Sequence, residues 1–389
     1  MADGSRIRVS LVAESTYGTT PTSPAFLSLP ITGHAMQDRV GYVQSNIINP
    51  DRNVEDMVRV TKSAGGTIPV ELRHSVSLEA LDRALLAIMS NSAFTAAATQ
   101  VTSATTTAGA KTITRASGSF TTDGYVVGDI VKLSGGLAAD MGYYRVTTVV
   151  ALTLTVEAPA NFTGSVGNVT VNRGARVLNG TATPSFTIEV AHLDIGKAQL
   201  FTGCVFNTLN IGLQVGQLAT ATFGIEAQSS TTANDLGSST FVSGATYTSA
   251  TSRPTLDPIG VAEVRVGSAD YAAQSITLDI TNNARAREQI GALGPQSMAR
   301  GQFTATGQIV AYFDDYSDQS TFTGNTATNM FFVALDSSGR GWSFSMPEVK
   351  FSDIAQPVTG NNSDVFKTVS LTAYKDATEV ATVRLQRWD

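Results

Sequence analysis

The chain has 389 residues, of which 42% are hydrophobic and only 15% are charged. The length predicts two or three domains. An average globular protein has about 25% charged residues, so the composition excludes a charged coiled coil or a Glu/Lys-rich helical bundle. A net charge of −6 also argues against the basic surface that tight nucleic-acid binding requires. The 34 glycines and many Ser and Thr residues instead favour a mainly β fold with numerous turns.

Several classes of protein are disfavoured by simple patterns. No segment has 18 consecutive apolar residues, so we expect no transmembrane helix. The N-terminus lacks the apolar stretch of a secretory signal, and we expect synthesis in the cytoplasm. The lone Cys204 rules out a disulfide within one chain.

Residues 1–93 are interpreted as the first part of the main β domain. A packed helix is predicted over residues 77–90, with Ser77 as its cap and Leu81, Leu85 and Ile88 on one face. Before the helix, residues 36–66 concentrate charge in a chain that otherwise has little. This segment, called the arm below, is either a solvated loop or an extension that becomes ordered against a neighbouring chain.

The arm supplies the candidate site residues. Mixed charges at a subunit contact set register and choice of partner. We therefore predict a subunit interface formed by Asp51, Arg52, Glu55, Asp56 and Arg59.

An inserted unit is predicted after the helix. Residues 94–110 are rich in Ala, Ser and Thr and are interpreted as a linker. Short β patterns separated by Gly turns then predict a small β-barrel or immunoglobulin-like domain over residues 111–177.

Residues 181–389 continue the main β domain with alternating strand patterns. A weak internal similarity links the segments 65–72, 219–227 and 301–313, so this part is either a duplicated half or a single run of strands. Residues 228–258 have few large apolar residues and are predicted to be an exposed excursion.

Catalytic and metal-binding patterns are not evident. The three histidines have no metal-ligand spacing, and Cys204 is expected to be a buried core residue. The cluster Asp314, Asp315 and Asp318 lacks the glycine and terminal glutamate of a calcium loop, so an acidic hairpin turn is favoured over a calcium site. We therefore predict no enzyme activity and no cofactor.

A family resemblance emerges from the N-terminal motifs. The segments Glu14–Pro21, Leu29–Gly33 and Ser63–Leu72, the charged arm and the helix Leu78–Met89 resemble the tail tube (major tail) proteins of long-tailed, non-contractile bacteriophages. The inserted unit resembles one found in some of these proteins through Gly118–Phe120, Val127–Val131 and Gly142–Val146.

The resemblance implies a structural virion protein with a tube-type β-sandwich or barrel. Such proteins form six-membered rings that stack into a hollow tail tube, through which DNA passes to the host without specific binding. Six copies at −6 each give a ring a formal charge of −36, which repels the phosphate backbone. The implied partners are further copies of the chain, the tape measure protein and the tail terminator and tip proteins, with no membrane.

Two alternatives remain open from the residues alone. A β-rich adhesin or carbohydrate-binding protein is suggested by the inserted β unit, although only 7% of the residues are aromatic. A polysaccharide-degrading enzyme would need one pair of carboxylates, and no pair is distinguished by the sequence.

Overall fold

The computed structural model describes residues 3–48, 50–51, 53–76, 79–159, 162–165, 168–233, 242–251, 255–256, 258–358, 360–361 and 364–389. The protein is mainly β, as the composition predicts. The elements before the inserted unit are β1 (Ile7–Ala13), β2 (Ala25–Leu29), β3 (Gln37–Gln44), β4 (Met57–Glu71) and α1 (Ala80–Ile88). The inserted unit contains β5 (Val101–Thr107), β6 (Thr112–Thr114), β7 (Ile130–Ser134), β8 (Gly142–Val150), β9 (Thr153–Glu157) and β10 (Val169–Asn172).

The remaining elements return to the main β domain. The first group is β11 (Ala175–Leu178), β12 (Phe186–His192), β13 (Lys197–Gln214), β14 (Thr220–Ala227), β15 (Ser229–Ala233) and β16 (Thr246–Thr248). The second group is β17 (Val261–Val266), β18 (Ala269–Asp270), β19 (Ala273–Thr281), β20 (Arg285–Arg287), β21 (Ser297–Ala299), β22 (Thr304–Tyr312), α2 (Ser317–Thr323), β23 (Thr328–Leu335), β24 (Gly341–Ala355), β25 (Phe366–Ala373) and β26 (Arg384–Trp388).

Eight strands form one antiparallel sheet in the order β3–β4–β14–β13–β19–β22–β25–β24. This eight-stranded sheet has one buried face and one exposed face. In β22, for example, Ala305 and Ile309 are buried whereas Thr306 and Gln308 are exposed. That alternation has the period of two that a half-buried strand requires.

The long strands β13 and β24 connect this sheet to the rest of the main domain. Their first halves pair with β12 and β23, and their second halves belong to the eight-stranded sheet. A continuous hydrophobic core spans both regions. Within it the ring of Phe206 meets Phe186 and Phe223 edge-on, at centroid distances of 5.4 and 5.5 Å, which joins β12, β13 and β14.

Helix α1 is shorter and more buried than the sequence predicts. It begins at Ala80, and the predicted cap Ser77 lies outside the described residues. Glu79 occupies the N-cap position without a side-chain capping bond. Asp82 is buried and pairs with Arg387 at 2.9 Å. The helix is enclosed because β26 brings Arg387 over the side that a surface helix would leave in water.

The motif Glu14–Pro21 has a structural role. The carboxylate of Glu14 accepts hydrogen bonds from the backbone N–H groups of Gly18 and Gly203 and from the hydroxyl of Thr187, at 2.8 to 2.9 Å. Gly18 and Gly203 both have positive φ, which favours glycine. The carboxylate therefore fixes the N-terminal loop onto β12 and β13.

The inserted unit is a closed barrel with the strand order β10–β5–β6–β9–β8–β7. The predicted linker over residues 94–110 is wrong for Val101–Thr107, because this segment is the barrel strand β5. Its Val101, Ala104 and Thr106 are buried, so small residues and threonine suffice where the neighbouring strands supply the large apolar side chains.

Asp140 closes a loop at the barrel wall. Its buried carboxylate accepts bonds from the hydroxyls of Thr106, Thr163 and Ser165 and from the backbone N–H groups of Thr163 and Gly164. Burial raises the pKa of this carboxyl, but the hydrogen bonds together outweigh it and lower the pKa to about 2.

The acidic run after β22 is not the predicted hairpin turn. Asp318 lies in the first turn of α2, a second helix that the sequence did not predict. The ammonium of Lys367 lies 3.0 Å from Asp314 and 2.9 Å from Asp318. These carboxylates therefore hold α2 against β25.

Asp140→Asn should destabilise the barrel by about 2 kcal/mol at pH 7, because an uncharged amide cannot accept the same set of bonds. The folded-state pKa is lowered, so the stabilisation is present above the unfolded pKa of about 3.9 and is lost as the pH falls towards about 2. The gap between wild type and variant should therefore narrow between about pH 4 and pH 2. Hydrogen exchange of barrel amides measures this gap, with the exposed Asp364→Asn as control. A gap independent of pH would contradict the assignment.

Candidate functional site

The arm is a β-hairpin formed within the single chain. Strands β3 and β4 pair antiparallel, from Gln37 opposite Gly65 to Gln44 opposite Met57. Of the two alternatives, the solvated loop is therefore wrong for residues 37–44 and 57–66, which are strands. In the described residues, no third strand pairs with β4 over Met57–Thr61, so the end of the hairpin projects from the sheet.

The predicted charged residues lie at this projecting end. Asp51, Glu55, Asp56 and Arg59 are exposed, and none forms a salt bridge within the described part of the chain. Hydrogen bonds from the side chain and backbone of Asn53 lower the pKa of Asp51. Arg52 lies outside the described residues.

The arm also carries an apolar surface that the sequence analysis did not identify. Nine large apolar side chains of its described residues are exposed, and Tyr42 is the one aromatic among them. They are Val40, Tyr42, Val43, Ile47, Ile48, Val54, Met57, Val58 and Val60. Ile48 is 96% exposed. Exposed apolar side chains in this number mark a contact surface.

The exposed face of the eight-stranded sheet, called the polar face below, is a second candidate surface. It is dominated by uncharged side chains that are fully or partly exposed: Thr67, Thr208, Asn210, Gln214, Thr220, Thr222, Ser275, Thr277, Thr281, Thr304, Thr306, Gln308, Ser370 and Thr372. The sequence contains these alternations but does not state which residues share one face.

Charges on the polar face are sparse and partly neutralised. Arg39 pairs with Glu226 at 2.6 Å, and Asn210 donates to Asp279 at 2.6 Å. Asp353 and Lys350 lie on β24 at the margin of the face. The surface is consequently polar but close to neutral, so it offers an approaching polyanion little attraction.

The barrel is held rigidly against the main domain. The buried Arg384 binds the carboxylates of Asp129, before β7, and Glu379, and Glu379 also binds Arg145 of β8 at 2.6 Å. Gln386 exchanges two hydrogen bonds with the backbone of Ile130, at 2.7 and 2.9 Å. Breaking a buried, paired charge network is costly, so the barrel does not behave as a loosely tethered domain.

Groups with chemical potential are dispersed or buried. The ring centroids of His34 and His192 lie 6.5 Å apart. Burial and, to a lesser extent, the neighbouring His192 lower the pKa of His34. Within the described residues no group of three or more His, Cys, Asp or Glu side chains could hold a metal ion. Cys204 is fully buried, and burial raises the pKa of its thiol. Among the described helices, none is long and apolar enough to cross a membrane.

The comparison with family models decides the identity. The model for the phage tail tube protein matches residues 4–373, nearly the whole chain including the barrel. The chain belongs to the phage tail tube protein family. A search of curated proteins finds no match.

Family membership makes this chain a structural tail protein of the virion that assembles into a tube. The interface role of Asp51, Arg52, Glu55, Asp56 and Arg59 stays a prediction.

Proposed function

We propose that the chain assembles into the six-membered rings that the resemblance implies, and that the rings stack into a hollow tail tube. Each member of a ring is one wall unit, a four-stranded half of the eight-stranded sheet: β3–β4–β14–β13 or β19–β22–β25–β24. Phage DNA passes through this tube to the host. The observation that carries the proposal is the eight-stranded sheet, which in the described residues has two edges, at β3 and at the end of β24, without a partner strand, and one polar face with few charges. Sheet edges demand pairing, and closure through neighbours satisfies both edges at once.

The polar face lines the lumen in this proposal. DNA binds proteins mainly through release of counterions by basic side chains. A wall of Thr, Ser, Asn and Gln gives the phosphates no cations with which to replace their counterions. Its acid Asp279, which has no basic partner in the described residues, repels phosphate. DNA therefore slides through without specific binding, and the chain needs no catalytic activity.

The arm forms the contact between rings or between neighbours in a ring. Its apolar side chains supply the buried area, while Asp51, Arg52, Glu55, Asp56 and Arg59 set the register. Stacking is head-to-tail, which propagates into a filament. The chain is made in the host cytoplasm, and the tape measure, terminator and tip proteins limit the tube. The barrel decorates the outside.

Negative-stain electron microscopy of the purified protein, dilute and concentrated, tests the proposal. Hollow filaments or closed rings are expected as the concentration rises. Protein that stays in separate monomers at every concentration, and that is missing from tails of intact virions, would overturn it.

Val43→Asp should reduce the yield of tubes at least about tenfold, because a carboxylate at an apolar contact costs more than about 1.4 kcal/mol. Its effect on folding should stay below about 0.5 kcal/mol, since Val43 is 55% exposed. Sedimentation of tubes and thermal unfolding measure the two effects.

A matched control is Val150→Asp, on the barrel strand β8, where the valine is 52% exposed. This variant should assemble normally. Equal tube yields from the two variants would mean that the arm is not a contact.

Gln308→Arg should slow genome release from virions by at least about threefold at low salt, because it adds one cation per chain to the lumen. The delay should shrink as salt rises. Fluorescence of a DNA-binding dye after triggered release measures the rate. Gln308→Glu is the control and should release DNA like wild type. If the Arg and Glu variants release DNA equally fast at low salt, the polar face does not line the DNA path.

A further inference from the structure

The main domain contains the same strand arrangement twice. In the first half, β4 pairs with β14, β14 with β13, β13 with β12 and β12 with β1. In the second half, β22 pairs with β25, β25 with β24, β24 with β23 and β23 with β17. A helix follows the β4 or β22 strand in each half, α1 packing on β13 and α2 on β24.

The two halves also match residue by residue. The β13–β14 pairing skips one residue between Phe206 and Thr208, and the β24–β25 pairing skips one between Phe351 and Asp353. The skip in β24 lies 145 positions after the skip in β13, so Thr208 and Asp353 are counterparts. The β12–β13 and β23–β24 pairings repeat the same shift, after Phe186 and Thr328 respectively. Shared bulges at matching positions are a stronger sign of equivalence than shared residue types.

This equivalence corrects the similarity seen in the sequence. The segments 65–72 and 219–227 are not repeats of each other, because β4 and β14 are partners in the sheet. The counterpart of β4 is β22, where Ala64 corresponds to Ala305 and Ile68 to Ile309.

One pairing has no counterpart inside the chain. The second edge of β13 is occupied by β19 of the other half, with Thr208 opposite Thr281 and Asn210 opposite Asp279. The corresponding edge of β24 has no partner strand in the described residues over Asp353–Ala355. The corresponding strand, β3, is likewise unpaired on the side away from β4.

We infer that β24 of one copy pairs with β3 of a second copy, in the register that β13 and β19 adopt within the chain. This inference rests on the proposed ring assembly and specifies its contact. Transferring the register places Asp353 opposite Arg39 and Ala355 opposite Gln37 of the second copy. Arg39 then lies between Glu226 of its own chain and Asp353 of the neighbour, so the charges are complementary.

Backbone hydrogen bonding is compatible with this register. Between β13 and the other half, Asn282 donates to the carbonyl of Asn207, and Val215 donates to that of Gln274. The backbone N–H and C=O groups of odd-numbered residues in β13 therefore point towards the strand on this edge. Pro357 corresponds to the even-numbered Gly212, whose backbone N–H points away from this edge. The missing N–H of Pro357 therefore removes no hydrogen bond from the inferred contact.

The strand count then gives the number of chains in the proposed six-membered ring. Each chain contributes eight strands, which are two wall units of four. The six-fold arrangement of wall units in the proposed ring is therefore completed by three chains.

A disulfide across the proposed contact tests both the register and the number. Gln37→Cys and Ala355→Cys, combined in one chain, occupy a directly opposed pair outside the hydrogen-bonded positions, where Cα atoms lie about 4.5 Å apart and a disulfide fits. Both native side chains are exposed, and the native Cys204 is fully buried. The matched control combines Gln37→Cys with Gln308→Cys, on the same face but two strands from the edge.

Assembled tubes are oxidised mildly, dissolved in detergent and run without reductant. A covalent trimer of about 122 kDa, three times 40.7 kDa, is expected from the first variant, and monomer from the control. Monomer alone from intact tubes would overturn the pairing, and a series extending to about 244 kDa would overturn the three-chain ring.

If the double variant does not assemble, the symmetry of rings from the unmodified protein decides. Three-fold chain symmetry supports the inference and six-fold chain symmetry overturns it. Rings or tubes that form but fail these criteria leave the proposed function intact. Failure of the unmodified protein to form any ring would overturn the proposed function and this inference together.

Discussion

The open edges of the eight-stranded sheet are the constraint on which the rest of the structure depends. Each unpaired edge presents backbone donors and acceptors that water satisfies in a monomer and another strand satisfies in an assembly. Inside the chain, β13 and β19 already pair across the two halves of the main domain. Because the chain pairs this edge once internally, the corresponding edge can pair in the same way with a second copy. In the proposed ring, that geometry closes the sheet through neighbouring copies.

The two faces of the eight-stranded sheet differ in composition, one apolar and buried and the other polar and exposed. The buried face supplies the core, where Phe206, Phe223 and their neighbours make the sheet stiff. The polar face carries hydroxyls and amides with few charges, so it offers a polyanion little to bind. The barrel is fixed by the buried Arg384 pairs and by Gln386, so it moves with the wall instead of swinging from it.

Sequence patterns predicted what depends on local periodicity. Strands such as β14, β22 and β25 follow clear alternation, and Leu81, Leu85 and Ile88 marked helix α1. Helix α2 was missed because Ser317–Thr323 is polar and has no apolar stripe. Strand β5 was missed because its buried positions include Ala104 and Thr106, which carry little hydrophobic signal. The polar face and the equivalence of β4 with β22 depend on long-range pairing, which alternation within one segment cannot reveal. The charges of the arm were visible in the sequence, whereas their position at the end of a projecting hairpin was not.

A cryo-EM reconstruction of the assembled tube, at a resolution that shows side chains, tests the central claim most directly. We expect a continuous sheet around the lumen, with Thr277, Thr306 and Gln308 facing inwards and the barrel of residues 101–172 outside. A tube in which the polar face is turned away from the lumen, or in which β3 and β24 end without a partner strand, would contradict it.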